Sequence, residues 1–389
     1  MISLTSICQS FLIGICIISC LPVGAQELNY SVEEAPEWTA LLHRTDGWFG
    51  ADGIFSIGLD GDDINEGDEK TLIIFSDSFI GKVKNGAPEP GYTMVNNTIA
   101  YFNGTEASEE NISIHYNTDE TGEPISYFVP NNPNAKEGQH FWLGDGFINK
   151  ELDNTLYIFG YHVEWTGENV FDFIEPNVSL IAIPSDNKPP FPGQRQLTTP
   201  LHVENEQYGS GNFGSGIFVN TEWAGAKSPD GYVYVYGCIG QDKNVILARV
   251  EPGNFEDFTQ WRYWAGDSWS KRIEDIVPIA NAASNELSVT ELPDGRYLMV
   301  FQVFGLSDKV GIRIGETPYG PFGDITEIYR TPEFDQGIWP YNAKAHPALS
   351  VPGELLISYN TITPDFWNDI KKDAHIYRPR FIKLILNSK

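Results

Sequence analysis

The sequence predicts an all-β chain built as a five-bladed β-propeller, and three observations carry that prediction. First, one pattern recurs five times along the 389 residues: a polar residue heads a short apolar run, a turn follows, and a run of aromatic and branched residues comes next. Second, 51 aromatic residues (Phe 23, Tyr 18, Trp 10) accompany 37 Gly and 25 Pro, a composition suited to many short strands joined by turns. Third, helical periodicity is scarce, so the apolar runs have no competing helical reading.

The five copies are GADGIFSI with TLIIFSDSF, LGDGFINK with TLYIFGYHV, GSGIFVNT with GYVYVYGCI, NELSVTEL with RYLMVFQVF, and AHPALSV with ELLISYNTI. Successive copies stand roughly 60 to 95 residues apart, enough for one antiparallel blade each. Their polar heads are Asp52, Asp145, Ser215, Glu286 and His346. In a propeller such heads converge on the central pocket. Residues 60–70 (DGDDINEGDEK) read as an acidic hairpin tip, without the ligand order of an EF-hand. Residues 85–90, 117–137 and 185–200 are rich in Pro, Asn and Gly and read as loops on a propeller face. The segment before the first blade, 27–44, packs outside or leads into the closing blade, and the last strand, within 377–386, completes a blade and closes the ring.

The first 26 residues carry no charge, and Phe11 to Ile18 is too short to span a bilayer but suits a signal-peptide core. The expected organisation is a signal peptide over 1–25 and one propeller domain over 26–389, exported to the periplasm. A lipobox-like Ile17-Ile18-Ser19-Cys20 gives the alternative of a lipid anchor at Cys20 and a cell-surface location. Cys8, Cys16 and Cys20 all fall in this segment, so the mature chain has no disulfide framework. A net charge of −28 disfavours nucleic acid and anionic membrane surfaces as partners and leaves neutral sugars or cations open.

Blade one offers two acids at one rim. Asp52 begins its first strand, and Asp77 ends the antiparallel return strand, so the two become neighbours. Paired carboxylates are what glycoside hydrolysis needs, one as nucleophile or base and one protonated to donate to the leaving oxygen. Asp145 and Glu286 add acids from other blades. Any one Asp before Gly is also an ordinary turn residue, but the shared register of three acidic heads favours a site. His346 reads equally as a buried core histidine or as a ligand to substrate near the axis.

Trp48, Trp142 and Trp339 with Tyr341 stand just upstream of polar heads, where flat rings would stack on sugar faces; Asn342 joins them as a candidate substrate contact. Core packing is the alternative role for each ring. Neither a nucleophile elbow nor a phosphate-binding loop is present, and the glycine-rich GSGNFGSG precedes a strand, where it would let a loop approach the pocket. No cofactor and no transition metal is expected, since no histidines stand at zinc spacing; calcium at the axis stays open.

The phrases GADGIFSI with TLIIFSDSFIG, VILARVEPGNFEDFTQWRYW, NELSVTELPDGRYLMVFQ, ETPYGPFG and YNAKAHPALSVPGELLISYN together resemble the bacterial five-bladed propellers of the domains of unknown function 4185 and 5005. The former includes the endo-D-arabinanases of glycoside hydrolase family 183. The resemblance runs from Trp48 to the C-terminus and implies an arabinan-cleaving enzyme with Asp52 as nucleophile and Asp77 as acid/base. That pattern usually carries Gly-Asp-Thr at the second acid, where this chain has Ser76-Asp77-Ser78. The layout is more distantly similar to five-bladed arabinan- and fructan-cleaving families. That likeness implies Asp52 as base or nucleophile, Asp145 as the group tuning the acid, and Glu286 as the acid. The expected function is thus an exported glycosidase acting on a furanose-containing polysaccharide. A non-catalytic glycan-binding propeller is the alternative, and a lyase would need a basic cluster, for which only Lys344, Arg313 and Arg296 are candidates.

Overall fold

The computed structural model describes residues 28–62, 69–167 and 169–387. The expected signal peptide, its cysteines and the tip of the acidic hairpin lie outside the described residues. The described chain is nearly all β, with two short α-helices, Pro36–Leu41 and Phe366–Asp369. None of the described helices is long and apolar enough to cross a membrane.

The five apolar runs that follow the turns become strands of five antiparallel sheets, each paired with the inner strand that precedes it in the chain. They are Lys70–Phe75, Thr155–Trp165, Tyr232–Ile239, Tyr297–Gln302 and Glu354–Ile362. Their apolar residues run almost without interruption rather than alternating, because each sheet packs against a neighbour on both faces. Inner strands neighbour one another in chain order: Phe55–Gly58, His140–Asn149, Gly209–Asn220, Leu287–Glu291 and Trp339–Ala345. The fifth sheet returns to the first. Tyr341 bonds Asp52, and the Thr71 hydroxyl donates to the Ala348 carbonyl at 3.0 Å.

Separate apolar clusters fill the spaces between successive sheets. Phe55, Ile74 and Phe141 pack between the first and second, Phe159 and Phe213 between the second and third, and Tyr236 and Phe301 between the third and fourth. Val300 and Ile357 pack between the fourth and fifth, and Phe75 and Leu356 between the fifth and first. The fifth sheet joins both ends of the described chain, since Tyr30–Glu34 pairs antiparallel with Arg380–Leu386 as its outermost strand. The segment before the first repeat thus supplies a closing strand and covers what would be an exposed edge.

Two readings of the repeat need correction. The fifth inner strand is Trp339–Ala345, whereas AHPALSV forms a turn with a single 3-10 helix, Pro347–Leu349. His346 therefore follows the strand instead of heading it. The glycine-rich run likewise belongs to a strand, Gly209–Asn220, and is not a loop before one.

Candidate active site

Irregular backbone at the middle of each long inner hairpin sets the site. The strands Asp46–Ala51 and Phe55–Gly58 belong to two successive sheets separated at residues 52–54, yet the pairings Ala51 to Ser78 and Phe55 to Ile74 keep one register across the gap. That register sets Asp52 opposite Asp77. The Asp52 N–H donates to the Asp77 carbonyl at 3.3 Å, and the Ser76 N–H donates to the Asp52 carbonyl at 2.9 Å. Opposed residues of an antiparallel pair face the same side, so both carboxyls reach the same cavity. Gly53, at φ +61°, makes the turn possible; a Cβ there would stand 2.5 Å from the Ser76 hydroxyl.

In the second, third and fifth sheets a bulge does the same work. Register shifts fall between Leu143 and Gly146, Phe213 and Gly216, and Tyr341 and Lys344, and they re-aim Asp145, Ser215 and Asn342. Asn342 adopts φ +52°, a left-handed conformation that Asn tolerates better than most residues.

Asp52, Asp77, Glu286, Trp142, Ser215, Tyr341 and Asn342 line one cavity of about 290 Å³. The Tyr341 hydroxyl donates to Asp52 Oδ2 at 2.6 Å, while Tyr377 lies close to the buried Asp52 carboxyl, short of hydrogen-bond geometry to Oδ1, and also favours its ionised form. Asp77 Oδ1 accepts from Asn96 Nδ2 at 3.0 Å. Burial and the neighbouring Asp77 charge push the Asp52 carboxyl up to about 8, with Glu286 adding to the repulsion and Tyr341 opposing it. Burial raises Asp77 to about 6, held back by Asn96 and by Trp142, whose Nε1 lies nearby but short of hydrogen-bond geometry. Two neighbouring carboxyls of this kind ionise in separate steps, so near neutrality one of them keeps its proton.

Glu286 is anchored differently. Its Oε2 is ion-paired with Lys344, which is 1% exposed, and its Oε1 accepts from Asn342 Nδ2 at 2.9 Å. The Lys344 ammonium also sits 4.5 Å from the centre of the Phe55 ring. Asp145 does not join this cavity. It lines a second one, of about 390 Å³, and ties two sheets together: Oδ1 accepts from Gly146 N at 2.8 Å and Oδ2 from Ile217 N at 2.7 Å.

Three expected substrate contacts lie away from the cavity. Trp48 is 2% exposed and packs 5.2 Å from Phe75 in the apolar core between the fifth and first sheets. Trp339 packs against the cluster of Phe49, Phe79 and Tyr377 and is not a lining residue. His346 is fully buried between the hydroxyls of Ser56, at 3.1 Å, and Ser358, at 2.7 Å, and burial holds it well below the usual imidazole range. Arg313 bonds the Gly323 carbonyl and Asn281, and Arg296 pairs with Asp294, so neither adds charge to the cavity.

Other lining residues carried little signal in the sequence. Glu175 and Trp165 come from the second sheet, and Lys243 from the third. Phe171, Phe304 and Trp367 stand at its edge and are exposed, Phe304 at 62%. An aromatic residue left in water by a loop is a signal that such a rim gives, since loops seldom strand large rings without use. Among the described residues no group of three or more His, Cys, Asp or Glu is arranged to hold a metal ion.

The fold has relatives of known structure. A protein of Bacteroides ovatus, described as a proposed hydrolase, superposes with a TM-score of 0.68 at 22% identity, covering 91% of this chain and 90% of its own. A β-1,3-galactosidase of glycoside hydrolase family 43, solved with galactodeoxynojirimycin, gives 0.48 at 10% identity over 87% of this chain and 91% of its own. An exo-β-1,3-galactanase of Phanerochaete chrysosporium gives 0.47 at 7% identity over 87% and 61%. The first likeness supports a common fold. No curated protein matches the sequence. The profile of the domain of unknown function 5005 matches residues 36–386, and the chain belongs to that family.

Proposed function

We propose that the five sheets are the blades of a five-bladed β-propeller and that the chain is a glycoside hydrolase using Asp52 and Asp77. The observation that carries this reading is the opposed pair itself, two buried carboxyls on the wall of a cavity rimmed by aromatic rings. Asp52 keeps the proton because it feels both Asp77 and Glu286 as like charges. Asp77 ionises first because Asn96 and Trp142 favour its charged form. Asp52 then protonates the glycosidic oxygen while Asp77 attacks the anomeric carbon, a reversal of the roles that the arabinanase resemblance implies.

The two acids come from directly opposed positions of one hairpin, which favours a close pair of the kind a retaining enzyme uses. Tyr341 orients Asp52, and Lys344 and Asn342 fix Glu286 on the wall beside the pair. The substrate class is a furanose-containing polysaccharide such as a D-arabinan, bound against the rings of Trp142, Phe171, Phe304 and Trp367. The chain is exported, to the periplasm or to the cell surface if Cys20 is lipidated; N-terminal sequencing of the exported chain separates the two. The reaction is tested by incubating the mature chain with arabinans, galactans and host glycans and analysing products. Cleavage abolished by Asp77→Asn supports the reading, and binding without cleavage identifies a glycan-binding propeller instead.

A further inference from the structure

We propose that Glu175 is the specificity-determining carboxylate of this cavity, accepting hydrogen bonds from the hydroxyls of a neutral sugar. The inference rests on the glycosidase reading above. Glu175 comes from the third strand of the second sheet, Phe173–Ile183, well outside the inner strands that supply the other acids. It reaches the cavity because the strand bulges there: His162 pairs with Asn177 and Glu164 with Ile174, so Glu175 and Pro176 face the single residue Val163. A bulge that re-aims one side chain, with a proline where a ladder bond is missing, is a device found beside functional sites.

The carboxylate is tethered on one side and open on the other. Asn212 Nδ2 donates to Glu175 Oε2 at 3.0 Å, Asn212 Oδ1 bonds His202 Nδ1 at 2.8 Å, and His202 Nε2 bonds Glu204 Oε1 at 3.0 Å. This line runs from the exposed Glu204 to the cavity and fixes the Glu175 rotamer. No cation of the described residues is ion-paired with it. Lys344 is taken by Glu286, and the Lys243 ammonium donates to Asn285 Oδ1 at 2.8 Å. Burial raises the Glu175 carboxyl above its usual range, with the Asn212 hydrogen bond and the Lys243 charge opposing. A half-buried carboxylate with one oxygen unbonded gains when a ligand supplies donors.

Sugar hydroxyls are such donors, and an ionised carboxylate, an acceptor at both oxygens, can take two of them at once. The rings beside it match a sugar face. Trp142 and Phe173 lie 4.6 Å apart at 74°, and Trp165 stands 6.2 Å from the first and 6.0 Å from the second. Lys243 also lines this wall, its ammonium bonded to a neutral amide, so the cavity joins hydrogen-bond acceptors to one further donor, as a polyhydroxyl ligand requires.

The test uses the mature chain, D-arabino-oligosaccharides and galacto-oligosaccharides. Glu175→Gln raises KM about 10- to 100-fold on the neutral oligosaccharide that is cleaved, with a smaller change in kcat, the loss of a charged hydrogen bond. Asn212→Ala gives a smaller rise, and the double variant is less than additive, because Asn212 acts through Glu175. Should Glu175→Gln fail to fold, as read by its thermal melt, Asn212→Ala alone carries the test. An unchanged KM in the folded variants, alongside inactive Asp52→Asn and Asp77→Asn, overturns the role of Glu175 and leaves the glycosidase reading standing. Full activity in Asp52→Asn and Asp77→Asn, or a parent that neither binds nor cleaves any of these probes, overturns both.

Discussion

The main-chain N–H of Asp52 donates to the carbonyl of Asp77 at 3.3 Å, across a gap in the hairpin where the flanking strands keep a common register. The backbone thus sets the two acids opposite one another before any side-chain contact does, and the Asp77 charge helps to raise the Asp52 carboxyl.

Asparagine at either position tests the division of labour. Asp52→Asn and Asp77→Asn each lower turnover of a natural glycan about 10²- to 10⁴-fold, the usual worth of a positioned acid or base. An aryl glycoside whose leaving group needs no proton restores much of the rate to Asp52→Asn and little to Asp77→Asn. The opposite pattern reassigns the acid to Asp77.

The pH profile follows from stepwise ionisation. With the roles proposed above, Asp77 acts ionised and Asp52 protonated, so kcat/KM rises through about pH 6 and falls through about pH 8. The Tyr341 hydrogen bond favours the ionised form of Asp52. Tyr341→Phe therefore moves the alkaline limb to higher pH, and a limb that stays in place argues against Asp52 as the titrating group.

The same raised pKa affects stability. A carboxyl whose folded value lies above its unfolded value contributes stability that is full below the unfolded value and lost as pH rises through the folded one. For Asp52 that window runs from about pH 4, the unfolded value, to about pH 8. Thermal melts of Asp52→Asn should match the parent near pH 4 or fall below it, and gain on it steadily up to pH 8.

The tryptophans divide by location. Trp48→Ala removes a core ring and costs about 3–5 kcal/mol in denaturant unfolding. Trp142→Ala, at the cavity wall, raises KM for oligosaccharides by more than it lowers stability. Equal effects of the two on KM would place Trp48 in the site after all.

Lys344 and Glu286 form a pair with little access to water. Lys344→Met strands the Glu286 carboxylate and costs about 3–5 kcal/mol, whereas replacing both residues with apolar ones of similar volume costs far less. Chemical denaturation of the single and double variants measures this coupling.

Much of this was legible in the sequence because antiparallel strands enforce it. The runs TLIIF and YVYVYG declare strands covered on both faces, and the spacing of Asp52 and Asp77 along one hairpin announces their meeting. The fifth repeat was misread because Trp339–Ala345 carries its head inside a bulge, at Asn342, while the apolar AHPALSV mimics a strand. Asp145 has the right register and the wrong cavity: its bulge aims it at two backbone N–H groups. Glu175 left no periodic trace, because a bulge in a third strand brings it in. Trp48 and Trp142 look alike in sequence, and only the packing of neighbouring sheets separates a core ring from a wall ring.

The most direct test of the central claim is product release from a panel of arabinans, galactans and host glycans, by the mature chain and by its Asp77→Asn variant. The account predicts new reducing ends from at least one neutral glycan with the parent and a loss of about 10²-fold or more with the variant. Equal release by both chains, or tight binding of a glycan that the parent leaves intact, would contradict it.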